Sequence, residues 1–128
     1  MDQDTDLFVQ AFWVKCREVI RPEIDARIGD LRRAGHDANV STQEFSEVAD
    51  QLPAPAGPSM TLAIRPVDAA AGAIHSAIEF HGDVRGQAVD VLADGARTQS
   101  YELAALGTAE VKAEIDGWLA RRTVSAPV

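Results

Sequence analysis

Glu79, His81 and Asp90 are the residues of this 128-residue sequence whose types and spacing could do chemistry together. On a β-strand Glu79 and His81 stand on one face, about 7 Å apart. If an antiparallel neighbour brings Asp90 opposite Glu79, two carboxylates and an imidazole come within reach of a single divalent cation. Like charges set directly opposite on two strands repel, and a cation would relieve them. The plainer reading is three solvated surface side chains, because water reduces that repulsion to roughly a few tenths of a kcal/mol. A metal centre also asks for three or four convergent ligands held by an outer layer of hydrogen bonds. As a general acid and base the two carboxyls are poorer still, since a flat, wet sheet face gives them no reason to differ in pKa.

The other reactive residue types fall away on their surroundings. Cys16 lies between Phe12 and Ile20 on an apolar helical stripe, where a thiol acts as a small hydrophobe. His36, His75 and His81 carry no signature that would join them to a nucleophile, and His75 stands too far along its strand to complete a site with Glu79 and His81. The glycines of GDVRG, residues 82–86, belong to a hairpin turn and lead into no helix, so they do not form a phosphate cradle. The sequence therefore implies no cofactor.

A β-hairpin over residues 74–95 is the element that must position the three candidate ligands. Ile74, Ile78 and Phe80 alternate on one face of its first strand, and Val89, Val91 and Ala93 on one face of its second. Asp83 and Gly86 suit the first and last positions of a type I turn. That turn pairs Phe80 with Val89, Ile78 with Val91 and Glu79 with Asp90. A slip of one residue would turn every apolar side chain outward.

Ahead of the hairpin, Phe8, Phe12, Cys16, Ile20, Ile24, Ile28 and Leu31 recur every three or four positions, which predicts a helix over residues 6–34. Pro22 removes one backbone hydrogen bond and crowds the carbonyl four residues back. Because the stripe keeps its phase from Ile20 to Ile24, the helix is expected to kink there and continue to Gly35. Residues 38–47 read as an edge strand from the alternation of Ala38, Val40 and Thr42. A short helix competes for the same stretch, capped by Ser41 with Glu44 and lined by Phe45, Val48, Ala49 and Leu52. Residues 53–58 hold three prolines and must be loop. Met60, Leu62 and Ile64 then alternate in a half-buried strand ended by Pro66. After the hairpin, residues 96–100 read as a polar loop and 101–106 as a helical turn. Thr108 is placed to cap a last helix lined by Val111, Ile115, Trp118 and Leu119.

The order helix, three or four antiparallel strands, helix is an α+β fold with both helices on one face of the sheet. A chain of this length is expected to form a single domain over residues 1–128, with 1–5 and 124–128 frayed. Its formal net charge of −8 comes without any cluster of Lys and Arg, so nucleic acid is not an expected partner. No apolar run approaches the roughly 18 residues of a membrane span, and the acidic opening is unlike a signal peptide. With a single cysteine, the chain is expected in the cytoplasm and away from membranes.

A helix of about 29 residues would run roughly 43 Å, past the reach of strands of about six to eight residues. Leu7, Ala11, Val14 and Val19 widen the apolar stripe of its first half, and Trp13 lies about 100° round the helix from Phe12. Phe8, Phe12 and Trp13 are therefore expected at the core of a homodimer interface. A sharp bend at Pro22 would instead fold both halves back on the chain's own sheet. The leading functional expectation is a small acidic protein-binding domain without catalysis, of an adaptor, chaperone-like or inhibitor-like kind. Its competitor is a small-molecule or metal-binding domain, enzymatic or not, built on the sheet face of Glu79, His81 and Asp90.

Overall fold

A computed structural model describes residues 3–44, 57–66 and 76–125. The first helical run continues without a break through α1 (Gln3–Lys15), a π-helical turn (Cys16–Ile20) and α2 (Arg21–Arg33). Phe8, Phe12, Cys16, Ile20 and Ile24 are spaced by four and all are buried, although a strict spacing of four drifts about 40° per step around an α-helix. In the π turn the Arg21 N–H reaches the carbonyl of Cys16, five residues back. The turn thus takes in an extra residue and recovers part of the drift. It also lies directly ahead of Pro22, whose ring cannot follow an unbroken α-helix. The expected kink is a widened turn. Ala34 closes α2, and Gly35 follows with φ 94°, a left-handed conformation that glycine adopts without strain.

Five strands form one antiparallel sheet in chain order: β1 (His36–Gln43), β2 (Ser59–Pro66), β3 (Ser76–Asp83), β4 (Ala88–Ala93) and β5 (Ala96–Glu102). A 3₁₀ turn (Leu103–Ala105) and α3 (Thr108–Ser125) follow. Among the described residues the sheet has five strands where three or four were expected, and residues 96–100, expected as loop, are part of the fifth. β5 is an edge strand with exposed side chains along nearly its whole length, so neither face carries apolar alternation. The chain turns into it through Asp94 and Gly95, both at positive φ, the backbone of a tight two-residue hairpin turn. Only the 3₁₀ turn remains of the helical turn expected over 101–106.

At the other edge, β1 takes the strand conformation in its described part, with Ala38 opposite Ile64 and Val40 opposite Leu62. Ser41, which would have capped the competing helix, lies inside that strand; residues 45–52 are outside the described residues, as are Ile74 and His75. Thr108 is the first residue of α3 and not its cap. Gly107 precedes it, and the Gly107 N–H donates to Glu110 Oε1 at 3.0 Å, the returning half of a capping box.

Both helical layers cover the same sheet face. Leu62, Ile64, Ile78, Phe80, Val89 and Val91 point into one buried cluster with Phe12, Ile20 and Ile24 of the first helical run and Val111, Ile115 and Trp118 of α3. Arg27 of α2 and Asp116 of α3 pair at 2.7 Å along the helix boundary. Helix and sheet come close at Gly82, where a Cβ would stand 3.2 Å from the Phe12 ring and 2.9 Å from Pro58 Cγ. Among the described residues no helix is long and apolar enough to cross a membrane.

Candidate functional site

β3 continues through Gly82 to Asp83, and the turn occupies residues 84–87. Asp83 therefore pairs with Ala88, Phe80 with Val91 and Ile78 with Ala93. Phe80 opposite Val89 and Ile78 opposite Val91 are both corrected by two residues. Since strand side chains alternate with period two, the shift preserves which residues are buried and changes every neighbour on the outer face. His81 faces Asp90, and Glu79 faces Leu92; the expected opposition of Glu79 and Asp90 does not occur. Gly86 lies under the Asp83 carboxylate, which a Cβ there would meet at 2.6 Å and push aside.

The outer-face residues answer one another's charges within the chain. His81 Nδ1 lies 3.1 Å from Glu79 Oε2, with both side chains about one third exposed. The bond to Glu79 raises the imidazole pKa above 6.5; partial burial opposes it, and the charges of Glu79, Asp90 and Asp83 add to the rise. Asp90 accepts a hydrogen bond from the Ser100 hydroxyl at 2.8 Å. Among the described residues no three His, Cys, Asp or Glu side chains are grouped to hold a metal ion. What this arrangement favours is the protonated form of an imidazole set beside Glu79 and opposite Asp90.

Two polar clusters escaped the sequence reading because each joins distant segments. Trp118 Nε1 donates to Ser76 Oγ at 2.9 Å, and Asp94 Oδ1 accepts from both the Ser76 hydroxyl at 2.5 Å and the Ala77 N–H at 2.9 Å. This relay ties α3 to β3 and to the β4–β5 turn. The second cluster centres on Glu114 of α3, whose Oε2 accepts from the Tyr101 hydroxyl at 2.6 Å while Oε1 lies 3.3 Å from the Thr98 hydroxyl. Thr98 and Tyr101 are three apart and would take opposite faces of a regular strand. The irregular pairing opposite Val91 and Leu92 lets both meet α3. Desolvation and then the bond to Glu114 push the Tyr101 hydroxyl up to about 12.

The expected interface residues of α1 divide. Phe8 and Phe12 are buried in the chain's own core, so they are not free to form the centre of a homodimer contact. Trp13 is half-buried, its ring edge-on to Phe12 with centroids 5.3 Å apart, and its indole N–H is buried without a hydrogen-bond partner among the described residues. The open surface is the neighbouring strip, where Leu7 is 55% and Val14 41% exposed with Ala11 between them. Two shallow grooves, of about 660 and 560 Å³, run along this strip against Leu103 and Ala104 of the 3₁₀ turn. Ala11, Val14 and Val19 line the second, together with Lys15 and Glu18. Leu7, Ala11 and Val14 were legible as a widened stripe. The wall opposite them was not, since the 3₁₀ turn is brought there by a strand without apolar alternation.

No protein-family model matches the sequence, and neither curated proteins nor solved structures give a significant match.

Proposed function

We propose that this chain is a protein-binding domain without catalysis that pairs with a second copy of itself through the open strip of α1. The observation that carries this reading is the exposure of Leu7 and Val14, the large apolar side chains left in water among the described residues. They stand two helical turns apart with Ala11 between them, so they present one continuous apolar ridge. The grooves beside the ridge are walled by Leu103 and Ala104, a form suited to an apolar helix lying alongside. A two-fold pair is the commonest way for one chain to cover such a surface with its own copy.

Light scattering of the wild type beside Leu7→Asp and Val14→Asp tests the reading. A dimer is expected for the wild type, and each substitution should return the mass toward the 13.7 kDa of one chain. A wild-type dimer that both substitutions leave intact would move the contact elsewhere.

A further inference from the structure

We infer that the two copies lie antiparallel, with the two-fold axis passing between Lys15 and Glu18, so that Lys15 of each chain faces Glu18 of the other. This rests on the self-pairing reading above and adds its orientation and register. The charged residues lining the groove of Val14 and Val19 are Lys15 and Glu18, of opposite sign and on one helix. Glu18 is exposed, and its one ion-pair partner among the described residues is Arg17, at 3.8 Å, a separation and exposure that contribute little. Lys15 has no ion-pair partner among the described residues.

The alternatives fail on charge. A parallel pair about a two-fold axis along the helices would set Lys15 against Lys15 and Glu18 against Glu18, and like charges brought together oppose association. An antiparallel pair centred between Ala11 and Val14 would lay the Glu18 carboxylate on Leu7, removing a charge from water without a partner. Centring the axis between Lys15 and Glu18 gives two reciprocal ion pairs, as a two-fold contact requires. The same axis brings Val14 to Val19, Ala11 to Pro22 and Leu7 to Ala26. Ala11, Pro22 and Ala26 are exposed, and the two alanines leave room for the helices to approach.

Charge exchange tests this arrangement. Sedimentation equilibrium is measured for the wild type, Lys15→Glu, Glu18→Lys and the double variant, with far-UV circular dichroism confirming equal helix content. Each single substitution should weaken the dimer about tenfold, because both symmetric contacts change from attraction to repulsion. The double variant should restore it. Single variants that dimerise as the wild type does, or a double variant weaker than either single, overturn the antiparallel register and leave the self-pairing reading standing. A wild type that stays monomeric at every concentration overturns both.

Discussion

The indole N–H of Trp118 on α3 meets the hydroxyl of Ser76 on β3 at 2.9 Å, and each of the two residues is only 1% exposed. Ser76 in turn donates to Asp94, whose φ of 54° belongs to the turn between β4 and β5. The buried indole N–H is thus satisfied by Ser76, and the Ser76 hydroxyl by a turn residue from a third element. That is how the C-terminal helix is held in register with the sheet.

Ser76→Ala removes the acceptor and leaves the Trp118 N–H buried and unpaired. A buried donor without a partner costs about 1–3 kcal/mol, so urea denaturation should show a loss of that size with an unchanged slope. A loss under about 0.5 kcal/mol, the scatter of neutral surface changes, would mean that the relay is not holding the helix.

The helical stripe, the α+β class and the apolar faces of β2, β3 and β4 were legible in the sequence because period reports burial directly. Two features were not. Alternation cannot distinguish a register from one shifted by two, since both bury Ile78, Phe80, Val89 and Val91; the turn decides, and it lies one residue later than Asp83–Gly86 would place it. β5 was invisible for a different reason: Ala96, Arg97, Thr98, Gln99 and Ser100 are all exposed, and a strand held mainly by backbone bonds leaves no pattern in its side chains. The site inherited both misses. Glu79 lost Asp90 as its opposite neighbour to His81, and the wall of the α1 grooves went unseen. Phe8 and Phe12 were assigned to an interface because the helix was expected to project past the sheet, whereas both are buried in the chain's own core.

His81 gives a pH dependence with a definite sign. Its pKa is raised in the folded state, first by the hydrogen bond to Glu79. The stability it contributes is fully present below the unfolded value of 6.5 and is lost as pH rises through the higher folded value. Histidine NMR should show His81 titrating above 6.5, and Glu79→Gln should bring it down. Titration at or below 6.5 in the wild type would contradict the pairing.

Cys16 is buried in the core, and that burial pushes its thiol up to about 12. At neutral pH the reactive thiolate is therefore scarce as well as covered. A thiol reagent should label the native chain slowly and the urea-unfolded chain at once, with one equivalent taken up. Rapid labelling without denaturant would place Cys16 on a surface and disturb the packing of the π turn.

A second chain covering Leu7 and Val14, both exposed in the single chain, makes the mass of the protein depend on its concentration. Sedimentation equilibrium of the wild-type protein over a wide range of concentration tests it most directly. The expected result is a species of twice 13.7 kDa that dissociates on dilution. A mass of 13.7 kDa throughout would contradict it.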